Sequence, residues 1–106
     1  RAPTAWLCPM TLSEYRRLID ETDAQLVALL NQRAELVIAI ARLKHAQGLP
    51  VRIPAREDEV LTQVTAHNTG PLDHQAMRRL FEQIIAESRR LEHHILGTSE
   101  DSPPKS

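Results

Sequence analysis

The stretch LSEYRRLIDETDAQLVALLNQRAELVIAIARLKHA, residues 12–46, decides the fold because it contains neither proline nor glycine. Pro9 and Gly48 bracket it, and Thr11 and Glu14 form a T-x-x-E capping box at its start. Apolar side chains recur close to every 3.5 residues along it, namely Leu12, Tyr15, Ile19, Leu26, Leu29, Leu36, Ile40 and Leu43. The pattern predicts one helix from about 12 to 46, roughly 50 Å long at 1.5 Å per residue.

Two shorter helices are predicted after this one. GLPVRIP, residues 48–54, ends the pattern because proline and glycine do not continue a helix. A second helix is expected from about 55 to 67, and a third from about 72 to 96 with Asp73 as its cap and Gly97 at its end. Their apolar sides comprise Val60, Leu61 and Val64, and then Met77, Leu80, Phe81, Ile84, Ile85, Leu91 and Ile95. The predicted fold class is all-α with three helices.

Length and composition restrict the class of protein. The 106 residues predict one small domain at 11–97, a flexible N-terminal segment at 1–10 and a disordered tail at 98–106. A formal charge of -1 argues against a general polyanion binder, and no apolar run approaches the roughly 20 residues of a membrane span. Cys8 is the only cysteine, and the first ten residues lack the apolar segment of a signal peptide. We therefore expect a cytoplasmic protein without an intrachain disulfide.

The first predicted helix is too long for a compact chain of this size, whose radius of gyration is about 13 Å. The other two helices are too short to cover its apolar side. The remainder is expected to be buried against a second copy related by two-fold symmetry. We predict an intertwined homodimer.

Two cations, Arg33 and Lys44, lie on the apolar side of this helix. Their separation of 11 residues returns the helix to within roughly 20° of its starting direction and places them about 16 Å apart. A buried cation without a partner is costly, so either both reach water or a negative group lies between them. Arg16 is about 25 Å from Arg33 and rotated by roughly 100°, so it reaches the same pocket only from a second, antiparallel subunit.

Further polar residues continue the apolar lines of the other helices. Ser88 and Glu92 are one turn apart and follow the apolar line of the third helix, and Arg56 and Glu57 open the second helix. If the helices pack, these groups converge on a cavity with a cationic floor and a carboxyl group. Such a cavity suits a small, doubly negative ligand.

Each of these residues also has a purely structural explanation. Arg33 alone is commonly a rim residue whose charge reaches water, and Lys44 lies near a helix C-terminus, where a cation is favoured. Ser88 permits close packing, and Glu92 can pair with Arg89 on the surface. The conjunction of all of them on inward-facing lines favours the pocket.

Other charged residues carry less information. Four arginines are interpreted as a solvated face, namely Arg78, Arg79, Arg89 and Arg90. The adjacent His93 and His94 point about 100° apart, and the other histidines are scattered, so no metal site is predicted. A coiled-coil adaptor is the alternative for the whole chain.

Three segments resemble the all-helical (class II) chorismate mutases: IDETDAQLVALLNQRAELVIAIARLK at 19–44, PVRIPARE at 50–57 and LFEQIIAESRRLE at 80–92. The resemblance covers about residues 12–96, and R-x6-D-x9-R-x10-K, R-E and S-x3-E occur in the family's order and spacing. It implies a three-helix chain in an intertwined dimer. The implied reaction is the Claisen rearrangement of chorismate to prephenate in aromatic amino-acid biosynthesis, without cofactor or metal.

The resemblance also implies roles for individual residues. Arg33 and Arg16 of the partner subunit are expected to bind the substrate carboxylates, because guanidinium groups bind carboxylates through two hydrogen bonds. Lys44 is expected to face the breaking ether oxygen and to carry the largest electrostatic share. Asp23 matches a family position and is interpreted as structural.

The remaining matched positions complete the pocket. Ser88 is expected to donate a hydrogen bond to a carboxylate, with Arg56 and Glu57 beside the substrate. Many relatives have glutamine where this chain has Glu92. A carboxyl group helps the ether oxygen only when protonated, because an ionised one repels it. We therefore expect activity to decline at alkaline pH.

One residue departs from the family pattern. Where such mutases commonly carry an aspartate that contacts the ring hydroxyl of the substrate, this chain has Ile53. A helical relative, isochorismate–pyruvate lyase, has a similar Ile-Pro-Ala stretch. The alternatives to a mutase are therefore this lyase or an amino-chorismate relative, and a non-catalytic helical dimer.

Overall fold

The computed structural model describes residues 10–97, and the predictions for residues 1–9 and 98–106 fall outside this range. Three helices occupy it, α1 (Leu12–Ala46), α2 (Pro54–His67) and α3 (His74–Leu96). The described residues contain no strand. The prediction of an all-α chain with three helices is thus confirmed. No helix in this part of the chain is long and apolar enough to cross a membrane.

Local capping signals set the helix ends. The Thr11 N–H donates to Glu14 Oε1 at 2.8 Å, and the Glu14 N–H donates to Thr11 Oγ1 at 3.1 Å, which confirms the predicted capping box. The Asp73 carboxylate accepts a hydrogen bond from the Ala76 N–H at 2.7 Å. Gly97 ends α3 in the left-handed conformation, with φ of 73°.

Two of the predicted boundaries shift slightly. The second helix begins at Pro54 rather than at 55, because proline is well suited to the first turn of a helix, where its missing N–H has no partner in any case. The third begins at His74 rather than at 72, because Asp73 is the N-cap and is itself extended.

The C-terminus of α1 closes with a Schellman motif. Gly48 has φ of 72°, and its N–H donates to the carbonyl of His45 at 3.1 Å. The Leu49 N–H donates to the carbonyl of Lys44 at 2.8 Å. This turn ends the helix and leads into the segment before α2.

The chain divides into two compact units, Arg1–Arg33 and Ala34–Ser106. The described residues of the first unit are almost all exposed. The second unit contains the end of α1 together with α2 and α3, and α2 packs against α3. Its buried apolar residues come from all three helices, namely Val37, Ala41, Leu61 and Ile85.

The predicted apolar side of α1 is exposed along its whole length. The exposed fractions of its side chains lie between 37% and 64%. These residues are Leu12, Tyr15, Ile19, Leu26, Leu29, Leu36, Ile40 and Leu43. On α3, Leu80 is exposed, whereas the rest of the predicted apolar side is half-buried or buried. We refer to the exposed apolar residues of α1 named here as the α1 seam.

Candidate active site

An ion pair between α1 and α3 lies in the interior of the second unit. Lys44 Nζ is 3.0 Å from Glu92 Oε1, and the two side chains are only 14% and 9% exposed. Lys44 Nζ also donates a hydrogen bond to the carbonyl oxygen of Val51 at 2.6 Å. The structure therefore brings together two residues that the sequence predicted to share a site.

The carboxylate of this pair is incompletely satisfied. Oε1 of Glu92 is buried and has no hydrogen-bond partner among the described residues, because the approach of Lys44 lacks hydrogen-bond geometry. A buried ion pair stabilises a fold only when further hydrogen bonds satisfy both groups. This pair is therefore a weak contributor to stability.

Local structure explains how both groups reach the interior. Lys44 lies in the last turn of α1, and the Schellman motif that follows brings Val51 back to its ammonium group. Glu92 follows Ser88 by one turn of α3, and Ser88 is half-buried, with Oγ donating to the carbonyl of Ile84 at 2.9 Å. Ser88 and Glu92 thus share a side of α3.

A second interior pair joins α2 to α3. Arg89 Nη1 donates to Glu57 Oε2 at 3.0 Å, and the two side chains are 22% and 19% exposed. Arg52 lies on the other oxygen, with Nε 3.6 Å from Glu57 Oε1. The predicted site residue Glu57 is therefore held by guanidinium groups from two segments of the chain.

The interpretation of Arg89 as part of a solvated face was wrong. Its side chain is largely covered and contacts Glu57, and Glu92 pairs with Lys44 instead of with Arg89 on the surface. The sequence contained a signal for this position. Arg89 follows Ile85 by four residues and precedes Glu92 by three, so it lies on the side of α3 that carries the buried residues.

The other predicted site residues are distributed as follows. Arg56 lies on the exposed surface of α2, where Nη1 is 3.2 Å from Glu59 Oε1 and its side chain is 62% exposed. Arg16 is exposed and Arg33 is half-buried, and both belong to the first unit. Ile53 is the N-cap of α2, and its side chain makes no capping hydrogen bond.

Two open grooves of about 410 Å³ each lie elsewhere in the second unit. One is lined by residues of α2 alone, and the other lies where the end of α2 meets the start of α3. None of the predicted site residues lines either groove. We place the candidate site at the interior ion pairs, because they contain three of the predicted site residues, Lys44, Glu57 and Glu92.

Comparison with known proteins identifies the class of this fold and site. The family described as chorismate mutase type II matches residues 15–93. The chain belongs to the chorismate mutase type II family, which confirms the resemblance drawn from the sequence.

Similarity to an individual protein supports this assignment. The chain is 32% identical over 88 residues to a bifunctional chorismate mutase/prephenate dehydratase of Aquifex aeolicus, covering 79% of this chain and 24% of that protein. The chain thus spans about a quarter of the length of this relative.

Solved structures match over nearly their full length. The chorismate mutase (form II) of Thermus thermophilus is 36% identical with a TM-score of 0.76, covering 77% of this chain and 93% of that one. The chorismate mutase of Helicobacter pylori, solved in complex with prephenate, is 27% identical with a TM-score of 0.75, covering 84% of this chain and 97% of that one.

Proposed function

We propose that this domain converts chorismate to prephenate. The observation that carries the proposal is the interior pair of Lys44 and Glu92, which occupies the lysine and glutamate positions of R-x10-K and S-x3-E in a chain of the chorismate mutase type II family. One carbon–oxygen bond breaks while one carbon–carbon bond forms, so the reaction requires no group transfer to the protein and no cofactor.

The protein has two tasks in such a rearrangement. It holds a flexible dianion in its compact reactive conformer, which removes an entropic part of the barrier. It also stabilises the negative charge that develops on the breaking ether oxygen, and this charge stabilisation is commonly the largest contribution.

Lys44 is the proposed donor to the ether oxygen. An ammonium group has three N–H donors, and the Val51 carbonyl occupies one of them at 2.6 Å. The low exposure of Lys44 strengthens its charge interactions relative to those in water. Glu92 is the second proposed donor, and it can donate only when its carboxyl group is protonated.

Carboxylate binding is proposed for Arg33 and for Arg16 of the partner subunit, on the basis of their spacing in the sequence. Ser88 is proposed to donate one further hydrogen bond, since its Oγ is half-buried one turn before Glu92. Arg56 and Glu57 are proposed to border the substrate.

A homodimer is part of this proposal. The α1 seam places leucine, isoleucine and tyrosine side chains in water, which is unfavourable for a helix of 35 residues unless another surface covers them. A second copy of the chain carries the same seam, so a two-fold axis pairs each apolar residue with a complementary surface. Such pairing also allows Arg16 to serve the site of the partner.

Isochorismate–pyruvate lyase activity is the second candidate. The observation behind it is Ile53, a half-buried isoleucine at the start of α2 where the resemblance to the mutases implies an aspartate, and the lyase has a similar Ile-Pro-Ala stretch. The choice between chorismate and isochorismate therefore depends on the segment before α2.

The decisive experiment is a paired assay of the purified protein with chorismate and with isochorismate, using Lys44→Ala and Arg42→Ala. Arg42 is an exposed cation two residues away on the same helix, so it is the matched control. We expect prephenate from chorismate, lost with Lys44→Ala and retained with Arg42→Ala.

Two other outcomes change the conclusion. Salicylate and pyruvate from isochorismate, with negligible prephenate from chorismate, establish the lyase. No product from either substrate leaves a helical dimer without catalytic activity.

A further inference from the structure

The two guanidinium groups at Glu57 hold its carboxylate unequally. Arg89 donates a hydrogen bond to Oε2 at 3.0 Å, whereas Arg52 approaches Oε1 only to 3.6 Å. Arg89 is 22% exposed and Arg52 is 52% exposed. Because water screens the exposed contact, the contact from Arg89 contributes more to the orientation of the carboxylate.

Arg89 pairs with Glu57 of α2 and shares a side of α3 with Glu92. It reaches across from α3 to the first turn of α2, and it lies one turn before Glu92 on the same side of α3. Glutamate has several rotatable bonds, and an anchor from a neighbouring helix reduces the conformations available to it. The position of the Glu57 carboxylate is therefore set by α3 as well as by α2.

The chemistry of the proposed substrate limits what Glu57 can bind. An ionised carboxylate only accepts hydrogen bonds, and chorismate, as a dianion, carries a single hydroxyl donor. The side chain of Ile53, the N-cap of α2, has no hydrogen-bond acceptor. We infer that Arg89 is a positioning residue, which holds the Glu57 carboxylate where it accepts a hydrogen bond from the substrate hydroxyl. This inference rests on the proposed function.

The inference is tested by a double-mutant cycle in the full chain with chorismate as substrate. The hydroxyl contact is equally present in the ground state and in the transition state, so its loss raises KM and leaves kcat nearly unchanged. We expect Arg89→Leu to raise KM about tenfold. In the Glu57→Leu background, Arg89→Leu should have no further effect, because the group through which it acts is absent.

Two further variants separate positioning from folding. Arg90→Leu is the matched control, because Arg90 is adjacent, 60% exposed and paired with Glu87 within α3, so its KM should equal that of the wild type. Arg89→Lys should restore part of the lost affinity, since lysine keeps the charge but lacks the planar fork. If Arg89→Leu is not folded at the assay temperature, Arg89→Lys and Arg89→Gln take its place in the cycle.

The outcomes distinguish this inference from the proposed function. Independent, multiplicative effects of the Arg89 and Glu57 substitutions in an active enzyme overturn the inference, as does a loss confined to kcat. A wild-type protein that forms no prephenate overturns the proposed function itself, and the inference with it.

Discussion

The interior of the second unit and the outer side of α1 depart from the usual distribution of side chains in opposite directions. The interior contains the nearly buried pair Lys44–Glu92, while α1 exposes residues such as Leu29 and Leu36 to water, each 60% exposed. Both arrangements are unfavourable in an isolated chain. We propose that each region serves an interaction. The interior binds a charged substrate, and the α1 seam packs against a second copy of the chain.

The ion pairs show the same contrast. Pairs such as Arg17–Glu21 lie within one helix and are more than half exposed. The interior pairs instead join different helices, as Lys44–Glu92 joins α1 to α3. Exposed pairs contribute little to stability, whereas breaking a covered pair leaves an uncompensated charge.

The largest expected effect is that of replacing the interior pair by apolar residues. The double variant Lys44→Met with Glu92→Leu should lower kcat/KM by at least about a thousandfold, because both proposed donors to the ether oxygen are removed. Its free energy of unfolding should stay the same or increase by about 1–4 kcal/mol, because two charges no longer have to be desolvated. Steady-state kinetics and chemical denaturation measure the two quantities.

The single variant Lys44→Met is the informative comparison for stability. It leaves the Glu92 carboxylate covered and without its cation, so it should destabilise the fold by about 3 kcal/mol. A double variant less stable than the single one would show that the pair is there for the fold rather than for the substrate.

Disruption of the α1 seam should have the next largest effect. Leu29→Glu places a charge in the proposed dimer interface, so the protein should sediment as a monomer in analytical ultracentrifugation. Activity at micromolar concentration should fall roughly a hundredfold if Arg16 of the partner subunit helps to hold the substrate. The control Asn31→Asp adds the same charge at an exposed polar position on the opposite side of the helix and should remain dimeric. A fully active monomeric Leu29→Glu would contradict the shared site.

The pH dependence of the wild type and of Glu92→Gln tests the role of the interior carboxyl group. A carboxyl group donates a hydrogen bond to the ether oxygen only when it is protonated, and an ionised one repels the charge that develops there. If Glu92 serves as this donor, wild-type kcat should decline at alkaline pH. Glutamine donates at any pH, so the variant should be flat between pH 5 and 9. A flat wild-type profile over this range rejects the role.

The smallest effect is expected on the exposed surface of α1. Arg17→Ala removes the pair with Glu21, whose side chains are 63% and 57% exposed. The free energy of unfolding should change by less than about 0.5 kcal/mol, because water and salt screen such a pair. Thermal unfolding at low and high salt measures it, and a larger change would show that exposed charges matter more here than the comparison implies.

The helices and their ends were predictable because their signals are local. The capping box of Thr11 and Glu14, the cap of Asp73 and the left-handed Gly97 each act within four residues of the chain. The apolar periodicity of α1 predicted both the helix and its unburied side. The cytoplasmic localisation of the protein and its homodimer remain predictions.

Part of the candidate site was also predictable, because helical periodicity shows which residues share a side. Ser88 and Glu92 could be assigned to the inward side of α3, and Lys44 to the same side as the apolar residues of α1. Arg89 was misassigned, because the interpretation relied on the run of arginines rather than on the spacing of Arg89 from Ile85 and Glu92.

The amino-acid sequence by itself determined the three helices, their caps and the family, because these depend on neighbouring residues and on a spaced pattern of residue types. Only the tertiary structure decided that Lys44 contacts Glu92 and Val51, and that Arg89 contacts Glu57 across 32 positions of the chain. The physical reason is that such contacts depend on how helices pack and on which charges lose water in the process. Neither the packing of the helices nor the loss of hydration of a charged group can be deduced from a short stretch of residues.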